Sequence, residues 1–454
     1  MNQKSMINDM THGPRAKQII LYSAPLALAN LLQTLYNLVD LAVVGHVVGS
    51  VGVSAVSIAG QITFLLYALG IGLGSGMQIL ISQQVGAQDL DGVRRTTGTS
   101  LSATVILAVV VTAAGLIFKN WGLRVLNTPD EAWVDATQYM FWCCLGIPFT
   151  YGYGSLCSVL RGMGDSKRPM YIIGIAAITN MILDIILVWG LGMRAKGAAI
   201  ATSAAQLVSF LFALIYLYRH RDNFGFDFKR ESFRIHGHTL KTVVSLAAPL
   251  AFMQISITVS MSFVNAWVNV YGVVASAVGG IGSKLYSLCN IITLSMQTAE
   301  ATFTGQNIAA RRIDRVKRSM YVTTGICLGY WLILSVVFLL FPQAVFSIFN
   351  TEPEVLAMAP RYMVILVVMF LSFATMSSGL GLINGVGNVK FNFIIALADG
   401  VVARIGLCLL FANVLGMGLY GYWWGSALAG FVSTLGAWIY YFTGLWQKRK
   451  LLMG

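Results

Sequence analysis

Twelve times along this chain, apolar residues run on for about 20 positions or more with almost no charge to interrupt them. Wound as a helix, a run of that length spans the hydrocarbon of a bilayer, where the backbone must satisfy its own hydrogen bonds. The runs lie near 19–44, 55–82, 97–118, 132–158, 170–191 and 197–218, then 242–270, 279–304, 319–341, 360–383, 391–412 and 420–444. None has the alternation of a membrane barrel strand. The fold expected is therefore all-α and polytopic, with twelve transmembrane helices. Composition agrees, since only 10% of the 454 residues are charged, against roughly 25% in soluble domains. That balance excludes a secreted disulfide scaffold, a nucleic-acid-binding domain and a disordered chain. No cleavable signal is expected, because residues 1–18 are polar and the stretch Ile19 to Val44 is too long for a signal-peptide core.

The net charge of +13 becomes informative once it is placed. With the N-terminus inside, the inner tails and loops carry 23 Lys and Arg and the outer loops 5. This bias predicts that both termini are cytoplasmic, and the expected location is the plasma (inner) membrane. Basic residues clustered at span ends also meet anionic lipid rather than nucleic acid. Lys284 and Arg404 are the remaining two bases, and both fall inside spans.

The two sets of six runs repeat one another. Ala24-Pro25-Leu26 recurs as Ala248-Pro249-Leu250, and Ser54-Ala55-Val56 as Ser276-Ala277-Val278. Gln84 and Ala87 recur as Gln306 and Ala309, and Gly162-Met163-Gly164-Asp165 as Gly385-Val386-Gly387-Asn388. Gly192-Met193 and Gly197 recur as Gly416-Met417 and Gly421, and every offset lies between 222 and 224. An even number of spans per half makes the repeats parallel. The expected organisation is a six-helix bundle over 1–219, a cytoplasmic linker over 220–241 and a second bundle over 242–454. Two such bundles facing a cleft make a transporter's architecture.

Several strings then resemble a known family. They are Pro25 followed by Asp40, the loop Leu160-Arg161-Gly162-Met163-Gly164-Asp165 with its echo Asn384-Gly385-Val386-Gly387-Asn388, and Gly305-Gln306-Asn307. Together they resemble the multidrug and toxic compound extrusion (MATE) family along essentially the whole chain. The first half, with Asp40, Asn180, Asp184 and Thr202, looks most like its DinF-like branch. The resemblance implies a cation-coupled antiporter that takes in Na⁺ or H⁺ and exports amphipathic, often cationic organic compounds. It implies no cofactor beyond that ion.

Four intramembrane acids are singled out: Asp40, Asp184, Glu300 and Asp399. Each costs about 2.5–3.5 kcal/mol near the bilayer centre on insertion scales. Asn180 and Asp184 share a helix face at i, i+4, and Thr202 offers a hydroxyl early in the next helix. Carboxylates with an amide oxygen and a hydroxyl suit Na⁺, and a carboxylate alone takes a proton. The alternative is a structural polar network between the first, fifth and sixth helices. Shifted by 224, these four positions become Val264, Arg404, Cys408 and Ser426, so coupling is expected in the first half alone. Glu300 replaces Gln78 of the first half and is a candidate for the substrate cleft, for a second proton site, or for pairing with a base. Asp399 and Arg404, five apart, are expected on different faces of an α-helix and hence unpaired. The resemblance weakens in the seventh and tenth helices, where other branches carry acids and this chain has Gln254, Ser256 and an uncharged Leu371–Leu380 stretch.

Pro25 and Pro249 each remove a mid-helix hydrogen bond. Static kinks are the plain reading. The resemblance implies bending at Pro25, where DinF-like members bend. Tyr36 and Asn37, beside Asp40, are candidates for the cleft wall, since aromatic faces attract organic cations. The six cysteines lie in or beside apolar runs and read as packing residues. His236 and His238 are too few to hold a metal. The Gly-Met-Gly-Asp-Ser-Lys string follows no strand, so it is a turn rather than a phosphate loop. No reactive cluster or nucleotide motif supports an intramembrane enzyme or an ATP-driven pump. A lipid-linked precursor flippase of the same superfamily would want a basic cavity, and only Lys284 and Arg404 are available. The expected partners are small organic substrates and membrane lipids, not nucleic acid, and the expected working unit is a monomer.

Overall fold

The computed structural model describes residues 6–452. Twelve long helices follow one another: α1 (Arg15–Val48), α2 (Ser50–Gly86), α3 (Leu90–Val125), α4 (Asp130–Gly162), α5 (Lys167–Asp184) and α6 (Arg194–Arg219). The second six are α7 (Gly237–Asn269), α8 (Val273–Ala309), α9 (Ile313–Leu340), α10 (Pro353–Gly385), α11 (Val389–Val414) and α12 (Leu419–Phe442). The all-α reading holds, and most helices overrun the apolar runs by a turn or more. Hydropathy sees only the part in lipid, whereas polar ends keep their helical hydrogen bonds in water. At the start of α3, Asp89 accepts a hydrogen bond from the Gly92 N–H at 2.8 Å, which caps the helix.

Among the described residues, ten of these helices are long and apolar enough to cross a membrane. The exceptions, α8 and α12, fall short for different reasons. Helix α8 carries Lys284, Asn290, Gln297 and Glu300, and α12 is rich in Tyr, Trp, Gly and Ser. On α3 the residues Val105, Val109, Ile117 and Phe118 are all at least 55% exposed, an apolar face suited only to lipid. The repeat is visible in helix lengths, for α2 and α8 have 37 residues each and α4 and α10 have 33.

Two compact units divide the chain, and their borders lie inside helices rather than in the linker. Unit 1 comprises residues up to Asp9 and Leu28–Ala251; unit 2 comprises Met10–Ala27 and Phe252–Gly454. This differs from the division expected at 219 and 242. The first turns of α1 belong to unit 2, where Ile19, Tyr22 and Leu26 pack with Met296, Phe303 and Ala374 and the Tyr22 hydroxyl meets that of Thr302 at 3.2 Å. The first turns of α7 belong to unit 1, where a Cβ on Gly72 or Gly76 of α2 would meet Ala247 or Val243 backbone within 3.0 Å. Only glycine allows so close an approach. The two borders, after Ala27 and after Ala251, are 224 residues apart, the offset of the repeat. Each falls two residues beyond a proline, Pro25 or Pro249, through which its helix runs unbroken.

The linker is packed into unit 1. Ser102 donates to the Phe233 carbonyl at 2.7 Å and Arg94 to that of Gly225 at 3.0 Å. Phe224, Phe226, Phe228 and Phe233 stack against one another beside them.

Candidate functional site

In unit 1, α1 and α5 each bring an acid into the interior, and neither is paired with a base among the described residues. Asp40 is 9% exposed and Asp184 fully buried. Their charges act on each other, and both act on Tyr36, one turn before Asp40 on the same face. The Oδ1 atom of each carboxylate is shut from solvent and has no hydrogen-bond partner among the described residues. Buried polar atoms are nearly always paired, so two unpartnered carboxylate oxygens call for an explanation.

The sequence-predicted neighbours come together here. Asn180, a turn before Asp184, is buried. With its amide turned to suit its surroundings, Nδ2 donates to Asp184 Oδ2 at 3.2 Å, and Oδ1 accepts from the Thr202 N–H at 3.2 Å and hydroxyl at 3.3 Å. Asn180, Asp184 and Thr202 thus meet where α5 and α6 pack, and the charge of Asp40 on α1 bears on Asp184. Asn37 stands on an exposed face of α1, a quarter-turn from Tyr36, and does not join them. Sequence reading missed α4, whose Tyr139 and Cys143 feel the Asp40 charge. Their i, i+4 spacing with Asp135 was the available signal. Asp135 is itself a fifth acid within the predicted spans. Arg194, at the start of α6, closes on it with Nη2 at 2.6 Å from Oδ2, so it is neutralised.

The acids of unit 2 are occupied. Glu300 is fully buried, and its Oε1 accepts from Thr304 (3.0 Å) and Ser319 (2.6 Å) while Oε2 accepts from Thr323 (2.7 Å). Asp399 and Arg404, expected apart, form an ion pair, with Arg404 Nη2 3.2 Å from Asp399 Oδ1. The reason is local. Helix α11 is π-helical over Ala398–Ala403, and i→i+5 hydrogen bonding makes neighbours of residues five apart. Ser433 of α12 donates to Asp399 Oδ2 at 2.7 Å, and Arg404 Nη1 points at the Met261 sulfur at 2.8 Å. At the place of Asp184, the Cys408 thiol donates to the Tyr422 carbonyl at 3.1 Å. Pro25 lies in the part of α1 that belongs to unit 2 and Pro249 in the part of α7 that belongs to unit 1.

Comparison with known proteins follows the same repeat. A family model, MatE, matches residues 25–186 and again 249–410. The chain is 29% identical over 442 residues to the probable multidrug resistance protein YoeA of Bacillus subtilis (strain 168), covering 96% of this chain and 95% of that one. It is 27% identical over 446 residues to the probable multidrug resistance protein YpnP of the same organism, covering 98% of each. A solved structure described as the outward-facing conformation of a multidrug resistance MATE family transporter of the MOP superfamily superposes with a TM-score of 0.91. Its identity is 24%, over 97% of this chain and 98% of that one.

Proposed function

Because the chain belongs to the MatE family, a family of membrane transporters and not enzymes, we propose that it is a cation-coupled antiporter. It exports small amphipathic or cationic organic compounds by alternating access and works as a monomer. It sits in the plasma membrane with both termini in the cytoplasm and uses no cofactor besides the coupling ion, Na⁺ or H⁺. The multidrug resistance proteins of Bacillus subtilis support the substrate class. One observation supports the coupling role: Asp40 and Asp184 feel each other's charge, and each keeps an oxygen without a partner among the described residues.

Two carboxylates in a low-dielectric interior repel each other and lack solvation, so at least one positive charge must accompany them. A proton shared between them meets that need. So does Na⁺, for which the open Oδ1 atoms, the Asn180 amide oxygen and the Thr202 hydroxyl supply hard oxygen ligands. Arrival of the ion removes the repulsion and favours the arrangement in which α1, α5 and α6 close on it. Tyr36 adjoins this spot and offers an aromatic wall to an organic cation. Pro25 lets α1 respond, since the missing N–H leaves the helix free to bend fifteen residues before Asp40. A lipid-linked pyrophosphate cargo is less suited, because Arg404 is already committed to Asp399.

The test is efflux of an organic cation from vesicles containing the purified protein, with Na⁺ and pH gradients imposed separately. One of the two gradients drives efflux in the wild type and neither does in Asp40→Asn. Full transport by a well-folded Asp40→Asn protein overturns the coupling role.

A further inference from the structure

A cavity of about 450 Å³ opens in unit 2 between the start of α11, the end of α12 and the turn Leu445–Lys448 that follows it. Its lining divides into two kinds of surface. Lys448 and Arg449 form a basic wall, Phe391, Ile439 and Leu445 an apolar one, and among the described residues no acid lines it. The basic wall is held in place. Gly444 takes a left-handed conformation (φ 67°) that turns the chain back, and Trp446 is fully buried with its ring N–H on the Tyr441 carbonyl at 3.1 Å. Arg449 donates Nη2 to the Gly387 carbonyl at 3.0 Å, and Leu452 packs on Gly387.

The repeat supplies an internal control. The counterparts of Asn388, Phe391 and Tyr440 in unit 1 are Asp165, Arg168 and Tyr216, at offsets of 223 to 224. There, Arg168 pairs with Asp165 and donates Nε to the Tyr216 hydroxyl at 3.3 Å, so the position carries its own cation and anion. In unit 2 the carboxylate has become Asn388, whose Nδ2 donates to the Tyr440 hydroxyl at 3.1 Å, and the guanidinium has become Phe391. The internal ion pair is gone, and two cations line the space instead. From there an apolar ramp leads outward, with Ile439, Leu445 and Phe442 each 59% to 70% exposed. A free anion has no use for that ramp, whereas a lipid tail does.

We propose that this cavity binds the headgroup of an anionic phospholipid, its phosphate between Lys448 and Arg449 and its chains along Ile439 and Leu445. The site lies at the end of the helices where the basic residues gather, the level at which basic pockets meet anionic headgroups. It is separate from the acids proposed for coupling and independent of transport.

The experiment uses the full chain, delipidated in detergent. Binding of phosphatidylglycerol and of phosphatidylcholine with the same chains is read by native mass spectrometry. Two basic side chains at the membrane surface favour the anionic lipid by roughly 30-fold. Lys448→Gln should cut that preference about fivefold. The pair Asn388→Asp with Phe391→Arg, which rebuilds the ion pair of unit 1 inside the cavity, should abolish it. Thermal unfolding of each variant checks that it is folded, and either one alone decides the matter. Equal binding of the two lipids by the wild type, or an unchanged preference in a folded variant, overturns the proposal. Displacement of the lipid by an equal concentration of inorganic phosphate also overturns it and assigns the cavity to a free anion.

Discussion

Helices α5 and α11 are the fifth helices of their halves, and each carries a buried aspartate, yet the surroundings differ in kind. Asp184 on α5 faces another acid and keeps one oxygen open. Asp399 on α11 has an arginine on one oxygen and a serine on the other. The contrast extends through the units: Asp40 shares the open state of Asp184, and Glu300 is saturated by three hydroxyls as Asp399 is by its partners. A carboxylate with a partner on each oxygen contributes to packing and specificity, whereas one with an unpartnered oxygen carries an uncompensated desolvation cost. Location in a membrane helix therefore does not by itself mark an acid as functional, and the proposed coupling role rests on the state of the oxygens.

This contrast predicts its largest effect at the open acids. Asp40→Asn and Asp184→Asn should each reduce efflux to the level of empty vesicles without lowering protein stability, measured by transport and by unfolding in micelles. Adding Cys408→Asp to Asp184→Asn should not restore transport. Recovery there means that the halves are interchangeable and breaks the comparison.

The closed acids should behave in the opposite way. Arg404→Gln strands a buried Asp399 and should destabilise the protein by about 3–5 kcal/mol, whereas replacing both partners with apolar residues (Arg404→Met with Asp399→Leu) should be nearly neutral. Denaturant titration in micelles separates the two. If Arg404→Gln instead preserves stability and abolishes transport, the pair belongs to the mechanism.

The prolines give a finer comparison. Restoring the hydrogen bond with Pro25→Ala should favour a straight α1 by up to about 3 kcal/mol, slowing cation-driven efflux while leaving substrate binding in detergent intact. Pro249→Ala should leave efflux unchanged, because α7 has Val264 where α1 has Asp40. Equal slowing by both would remove the asymmetry. The smallest effect is expected from Glu300→Gln, which keeps an acceptor for the hydroxyls. It should alter stability by about 1 kcal/mol and efflux not at all, and loss of transport there would place a second coupling site in unit 2.

Much of this was legible in the residues. Apolar run length gave the helices, and the paired strings around Pro25 and Pro249 exposed the repeat. The i, i+4 spacing of Asn180 and Asp184 foretold one face of the polar spot. What stayed hidden depends on backbone detail or on distant packing. The π-helical stretch at Ala398–Ala403 leaves no compositional trace, so Asp399 and Arg404 were placed on ideal α-helical geometry and wrongly separated. The borders inside α1 and α7 were invisible because tertiary partners, not composition, decide which unit a turn of helix joins.

Those borders bear on how the protein is made. Residues Met10–Ala27 leave the ribosome ahead of their partners on α8 to α10, which follow some 270 to 350 residues later. At roughly 5–20 residues per second that delay is tens of seconds, during which the apolar start of α1 sits in the membrane without its native neighbours. Unit 2 thus cannot complete its core during synthesis of its own helices; it must recover a segment made at the outset. Severing the linker would yield two fragments that each hold a piece of the other's core, so neither half is a self-sufficient product of translation.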